Sequence, residues 1–347
     1  MPHMDRRRFL TSAAAAASAV VLTAGPARAE ALPARHAAKK ARRTAGAFGD
    51  ARVVAETYVD PRTLDLTIDS PALADPAVKV RLLLPPGWTP NPARTWPVLY
   101  LLHGAGDDYS SWTRSTDVAA LTQDTGVLVV MPTGGRAGFY SDWWNHGFGG
   151  APAWETFHLV ELVRILEGGY GAGTRRVIAG LSMGGFGAMS YAARHPGMFR
   201  AAAAYSGVVH TTYTGPHAPS PFDGPALVRG TLQVEGFDPD ALWGDPAVDP
   251  GRWAAHNPYD LAYLLKDIPL YVSSGNGQPG PFEPPGTPAD PNIEPLIEIM
   301  TEAFVDRLHQ VGANITANLY GPGIHNWPYW ERELHASFPL LMNAAGV

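Results

Sequence analysis

The chain has 347 residues, a formal net charge of −6 at neutral pH and no cysteine. Its length suits one large α/β domain or two smaller ones. Because cysteine is absent, disulfide bonds, thiolate catalysis and cysteine-ligated metal sites are excluded. The body of the chain carries no block of basic residues, so we expect no nucleic-acid partner.

The N-terminal segment has the features of a twin-arginine signal peptide. Three arginines at positions 6–8 precede an alanine-rich apolar run over 10–24, and an A-x-A cleavage pattern ends at Ala29. The run is too short and too rich in alanine for a stable membrane anchor, so we expect a secreted protein with no membrane span after cleavage. The predicted organisation is a signal peptide at 1–29, a flexible linker at 30–48 and a folded domain at 49–347.

Beyond the linker, segments typical of strands alternate with segments typical of helices. The patterns at 51–59, 63–69 and 78–84 predict an antiparallel start to a sheet. Continuous apolar runs at 97–102 and 127–132 are typical of buried parallel strands. Further strands are predicted at 177–179, 201–206, 269–275 and 313–320, and helices at 117–123, 154–167, 183–196, 293–311 and 329–342.

This alternation predicts an α/β fold with a doubly wound, mostly parallel sheet and helices on both faces. The chain shows no internal repeat and no sign of a second folded domain. Two long segments, 210–258 and 276–292, are predicted to be irregular, and their length makes them candidates for lids or pocket walls.

Residues 176–196 contain the pattern expected of a nucleophile at a strand-to-helix turn. An apolar strand leads into Gly180-Leu181-Ser182-Met183-Gly184, and a helix of small residues follows. The G-x-S-x-G elbow requires this context, because side chains two positions either side of the serine would collide with neighbouring backbone. The turn raises Ser182 above the sheet, and the start of the helix directs the Met183 N–H at a developing oxyanion.

A serine nucleophile needs a histidine base, which in the α/β-hydrolase order follows the last strand. His325 lies at that position, whereas His309 and His335 fall inside predicted helices. The second oxyanion donor is expected from the loop after the strand at 97–102, where we predict the Ala105 N–H.

The histidine in turn needs a carboxylate that fixes its tautomer and stabilises the imidazolium. This acid is expected after the strand at 269–275. There are four candidates, and spacing alone does not choose between Glu283, Asp290, Glu294 and Glu298, although Glu298 suits a solvated helix position.

Further motifs occur in a fixed order between residue 78 and the C-terminus. They include Leu101-Leu102-His103-Gly104, Met131-Pro132-Thr133-Gly134-Gly135, Phe139-Tyr140-Ser141-Asp142-Trp143, Leu242-Trp243-Gly244, Gly275-Asn276-Gly277 and His325-Asn326-Trp327-Pro328-Tyr329-Trp330. With these motifs and the Ser182 turn, the chain resembles the antigen 85 mycolyltransferases and the related secreted actinobacterial esterases of the esterase D type. The resemblance implies an α/β-hydrolase catalytic domain at 49–347.

The resemblance also implies a Ser–Glu–His triad, in which the glutamate opens the long helix after the late strand. That position is Glu294, so the triad becomes Ser182, Glu294 and His325, with Ala105 and Met183 as oxyanion donors. The mycolyltransferases carry an aspartate where this chain has His103, and a longer, arginine-containing loop after Ala105. Those residues belong to their trehalose site, so the resemblance implies the fold and the acyl-serine chemistry, and it does not by itself imply trehalose or mycolate as substrates.

The residues therefore predict a secreted serine esterase that acts on a small-molecule or lipid ester through an acyl-enzyme at Ser182. The first alternative is an acyltransferase of the antigen 85 type, which moves a mycolyl or diacylglycerol acyl group to a sugar or glycerol alcohol. The second is a non-catalytic surface protein that binds carbohydrate or matrix. We predict that His103, Trp143 and Trp327 contact substrate, since aromatic rings stack on sugars. No metal-ligand spacing such as H-E-x-x-H occurs, so we expect neither metal nor cofactor.

Overall fold

A nine-stranded mixed sheet runs through the part of the chain that the computed structural model describes, which comprises residues 51–216, 218–219 and 222–347. The predicted signal peptide and linker lie outside these residues. The strands are β1 (Arg52–Tyr58), β2 (Thr63–Ser70), β3 (Asp75–Leu83), β4 (Trp96–Leu102), β5 (Leu128–Pro132), β6 (Ala172–Leu181), β7 (Ala202–Tyr205), β8 (Leu270–Ser274) and β9 (Ile315–Leu319). Across the sheet they lie in the order β1-β2-β3-β5-β4-β6-β7-β8-β9.

One end of the sheet is antiparallel and the rest is parallel. β1, β2 and β3 pair in antiparallel fashion, and β3 also pairs antiparallel with β5. From β5 through β4, β6, β7 and β8 to β9, every neighbouring pair is parallel. β4 and β5 are buried along their whole length, as expected of parallel strands that are covered on both faces. The predicted mostly parallel sheet with an antiparallel start is confirmed.

Helices cover both faces of this sheet. They are α1 (Ser111–Ser115), α2 (Val118–Leu121), α3 (Trp154–Thr156), α4 (Leu162–Gly169), α5 (Met183–Arg194), α6 (Gly224–Val234), α7 (Pro250–Ala254), α8 (Ile293–Gln310) and α9 (Trp327–Ala345). A π-helical turn, Phe157–Glu161, joins α3 to α4. On one face, Leu99 of β4 shares a buried cluster with Leu334 of α9. Within the described ranges, no helix is both long enough and apolar enough to cross a membrane.

The long insertion between β7 and β8 contains α6 and α7, so the prediction that it is irregular throughout was wrong. α6 begins at a regular helix terminus, because the Asp223 carboxylate accepts a hydrogen bond from the Ala226 N–H over 2.8 Å. Pro225 occupies the first turn, where its missing N–H costs nothing. Both signals are present in the sequence, so this helix was predictable.

Candidate active site

Ser182 occupies a strained turn between β6 and α5. Its backbone has φ 53° and ψ −120°, a conformation that residues with a side chain rarely adopt. The flanking glycines permit the turn: a Cβ on Gly180 would lie 2.2 Å from the Gly184 oxygen, and one on Gly184 would lie 2.3 Å from the Leu102 oxygen. The turn therefore has the geometry of a nucleophile elbow.

The loop after β4 lies directly against this turn. A Cβ on Gly104 would be 3.4 Å from the Ser182 Cβ. The next residue is Ala105, whose N–H has no hydrogen-bond acceptor in the described part of the chain. Met183 is the first residue of α5, and an N–H at that position has no acceptor within its own helix. Both N–H groups that we predict as oxyanion donors therefore belong to segments in contact with the Ser182 turn.

Glu294 and His325 form a carboxylate–imidazole pair. The His325 Nδ1–H donates to Glu294 Oε2 over 2.6 Å. The Glu294 side chain is fully buried, and the His325 side chain is 13% exposed. Glu294 Oε1 accepts the Gly275 N–H, at the end of β8, over 2.8 Å. Because the carboxylate requires a hydrogen on Nδ1, the Nε2 atom of the neutral ring is left as the proton acceptor.

Ser206, for which the sequence carried no signal, extends this pair into a closed network. Its hydroxyl donates to Glu294 Oε1 over 2.8 Å and accepts the Trp330 Nε1–H over 3.1 Å. The Trp330 ring in turn packs edge-on against the His325 ring, with 4.9 Å between the ring centroids. The four side chains therefore hold one another in place.

The segment around Ser206 also holds the serine turn. The Ser182 N–H donates to the Tyr205 carbonyl over 2.9 Å, and the Ser182 carbonyl accepts the Val208 N–H over 3.2 Å. In the ranges that the structure describes, Ser182 Oγ makes no hydrogen bond to His325. Such a bond is often long in a free enzyme and tightens when substrate binds.

The other three carboxylates considered for the acid have different partners. Glu283 accepts the Tyr329 hydroxyl and the Gly280 N–H. Asp290 accepts three N–H groups at the start of α8. Glu298 lies on α8, where burial raises the pKa of its carboxyl. Among the described residues, no group of three His, Asp or Glu side chains is arranged to hold a metal ion.

Comparison with known proteins places this site in a family. Residues 70–341 match the family model described as "Putative esterase". The chain belongs to this esterase family. Within the family it is antigen 85-like: it is 33% identical over 262 residues to the diacylglycerol acyltransferase/mycolyltransferase Ag85B of Mycobacterium intracellulare, covering 72% of this chain and 76% of the relative. Ag85B of Mycolicibacterium smegmatis is 34% identical over 260 residues, covering 72% and 77%.

Solved structures show that the antigen 85-like esterase has an α/β-hydrolase fold. MPT51 of Mycobacterium tuberculosis aligns with a TM-score of 0.63 and 26% identity, covering 81% of this chain and 97% of its own. An S-formylglutathione hydrolase from Agrobacterium tumefaciens aligns with a TM-score of 0.58 and 17% identity, covering 83% and 99%. At that identity the second likeness shows the fold alone.

The three residues predicted to contact substrate lie at different depths in the antigen 85-like esterase. His103 is buried, and both of its ring nitrogens are hydrogen-bonded to backbone. Trp143 is also buried, and its Nε1–H donates to the Gly138 carbonyl over 3.1 Å. Trp327 is partly exposed and packs edge-on against Trp112. Burial therefore disfavours the predicted substrate contacts of His103 and Trp143, while that of Trp327 stays a prediction.

Proposed function

We propose that this antigen 85-like esterase hydrolyses carboxylic esters through an acyl-enzyme on Ser182. In this proposal His325 is the base, Glu294 orients it, and the Ala105 and Met183 N–H groups bind the oxyanion. The observation that carries the proposal is the strained serine turn linked through one hydrogen-bonded segment to a buried Glu294–His325 pair.

The proposed reaction has two halves. Ser182 Oγ attacks the ester carbonyl carbon and gives its proton to His325 Nε2, while the carbonyl oxygen takes up negative charge opposite the two N–H donors. The tetrahedral intermediate then expels the alcohol, which receives the proton from His325. A water molecule attacks the acyl carbon with His325 again as base, and the carboxylic acid and free Ser182 are released.

The test is hydrolysis of a series of p-nitrophenyl esters, from acetate to palmitate, by the mature protein. We expect Ser182→Ala to lower kcat by at least about 10³-fold. Ser190→Ala, which removes a buried hydroxyl elsewhere on α5, is the matched control and should retain activity. Full turnover by Ser182→Ala would refute the proposal. If no ester were turned over by any variant or by the wild-type protein, the non-catalytic binding alternative would be favoured instead.

Acyl transfer is the second candidate, and it is favoured by the similarity of the chain to Ag85B, which is a diacylglycerol acyltransferase/mycolyltransferase. Transfer and hydrolysis use the same residues and differ in whether an alcohol or water resolves the acyl-enzyme. Product analysis with glycerol or trehalose present separates them. If the acylated acceptor formed in excess over the free acid, the proposed activity would be transfer and not hydrolysis.

We also propose export by the twin-arginine pathway, from the arginines at positions 6–8 and the apolar run that follows them. Residues 1–29 fused to a reporter should direct the folded reporter out of a bacterial cytoplasm. Replacing the three arginines by lysine should abolish this export, and unchanged export would exclude the pathway.

A further inference from the structure

The His103 side chain holds the loop that carries the Ala105 N–H. The residue is 1% exposed, so its ring has almost no access to solvent. Nδ1 lies 2.7 Å from the Gly104 carbonyl oxygen, and Nε2 lies 2.8 Å from the Gly134 nitrogen. Both are hydrogen-bond distances, so the ring bridges the loop after β4 and the loop after β5.

These two partners fix the protonation state of the ring. A carbonyl oxygen can only accept, so Nδ1 must carry the hydrogen that is donated to Gly104. A backbone N–H can only donate, so Nε2 must be the acceptor for Gly134. The imidazole is therefore neutral. Burial acts in the same direction, since it lowers the pKa of His103 below its ordinary value.

The geometry of the peptide group transmits this contact to the proposed oxyanion donor. The Gly104 carbonyl and the Ala105 N–H belong to one planar trans peptide group and point in opposite directions. Fixing the oxygen therefore fixes the direction of the N–H. The same peptide group packs on the nucleophile turn, because a Cβ on Gly104 would lie 2.7 Å from Leu181 Cδ1 and 3.4 Å from Ser182 Cβ.

From this arrangement we infer that His103 is a positioning residue, which aims the Ala105 N–H at the oxyanion formed on the ester bound at Ser182. The inference rests on the proposed function. In it, His103 supports the loop that carries the Ala105 N–H. The backbone of His103 is held as well, since its carbonyl accepts the Tyr140 hydroxyl over 2.8 Å. Preorganised donors of this kind act on the transition state and not on the bound substrate.

Two substitutions separate the two hydrogen bonds of the ring. In His103→Asn, the side-chain amide N–H takes the place of Nδ1–H and can still donate to the Gly104 carbonyl. In His103→Gln, the side-chain amide reaches the place of Nε2 and keeps only the bond with Gly134. We expect His103→Gln to lower kcat on p-nitrophenyl butyrate about ten- to hundredfold with little change in KM, and His103→Asn to retain most of kcat.

Inhibition by a reversible transition-state analogue distinguishes a positioning role of His103 from a purely structural one. A trifluoromethyl ketone adds to the active-site serine and places an oxyanion at the two donors. Its inhibition constant should rise in His103→Gln by the same factor by which kcat/KM falls. Melting temperatures of all variants show whether each one folds.

His158→Gln is the matched control, because it also alters a buried imidazole of the same region. The His158 ring is hydrogen-bonded to the Thr133 carbonyl and the Tyr191 hydroxyl, and neither of these partners is Gly104. Equal losses in the Asn and Gln variants of His103, a loss confined to KM, or the same loss in His158→Gln would overturn the inference. Ester turnover by Ser182→Ala would instead overturn the proposed function, whatever the His103 variants show.

Discussion

At the scale of single residues, the Ser206 hydroxyl supplies one of the two hydrogen bonds that Glu294 Oε1 accepts; the other comes from the Gly275 N–H. Hydrogen bonds to charged groups contribute about 1.5–3 kcal/mol each. We therefore expect Ser206→Ala to lower kcat about tenfold, because the carboxylate that orients His325 loses a donor. KM should change little, since Ser206 is buried behind the pair. Steady-state kinetics on p-nitrophenyl butyrate measures both constants.

Ser190→Ala serves as the control for this substitution as well. Ser190 is a buried serine whose hydroxyl donates to the His256 carbonyl over 2.9 Å, on the helix that follows the nucleophile. Its loss should reduce the free energy of unfolding and leave kcat unchanged. Equal kcat values in the two alanine variants would mean that the Ser206 hydroxyl supports the fold only.

At the scale of elements, the proline-rich loop before α8 ends in a carboxylate that holds the start of that helix. Asp290 Oδ1 accepts the N–H groups of Asn292 and Ile293, each over 3.0 Å, and Oδ2 accepts that of Glu294 over 2.9 Å. Its negative charge also suits the positive end of the helix dipole. The loop is tied at its other end too, because the Gly277 N–H donates to the Gly323 carbonyl over 2.9 Å.

Asp290→Ala should therefore affect catalysis as well as stability. We expect kcat to fall about tenfold, because the first turn of α8 that carries Glu294 loses its cap, and the unfolding free energy to fall by about 1 kcal/mol. Asp290→Asn keeps one acceptor oxygen and should lie between wild type and alanine. The control is Asp223→Ala, which removes the carboxylate that caps the start of α6. If both alanine variants lost stability and neither lost kcat, the Asp290 cap would stabilise α8 without helping to position Glu294.

At the scale of the whole molecule, the sequence predicted those features that local pattern determines. Apolar runs such as 97–102 gave the buried strands, and the glycines around Ser182 gave the turn, because each depends on a few neighbouring residues. The carboxylate partner of His325 was different: local pattern left four candidates within sixteen residues, the family resemblance implied Glu294, and the fold shows that Glu294 is the one bonded to His325. Ser206 contributes through partners 88 and 124 positions away, and no local pattern encodes such contacts.

The fold as a whole also keeps several imidazoles uncharged, which makes its stability depend on pH. Burial lowers the pKa of His103, brings that of His158 to about 3, and brings those of His210 and His256 to about 4. In the unfolded chain these histidines take up protons near pH 6.5, while in the folded protein they stay neutral to lower pH. The unfolded state therefore binds more protons between these values, and the unfolding free energy must fall as the pH falls below about 6.5.

For the fully buried His158 the expected slope is about 1.4 kcal/mol of unfolding free energy per pH unit across that window. Urea unfolding at pH 7.5, 6.0 and 5.0, each at least about 0.5 unit above the ordinary pKa values of carboxyl groups, measures this slope. His158→Gln should be less stable than wild type at pH 7.5. It should also lose less stability on acidification, because its unfolded chain lacks the imidazole that takes up a proton. His309→Gln removes an exposed imidazole and should leave the slope unchanged. A slope in His158→Gln equal to that of wild type would show that His158 does not carry this dependence and that the other buried histidines account for it.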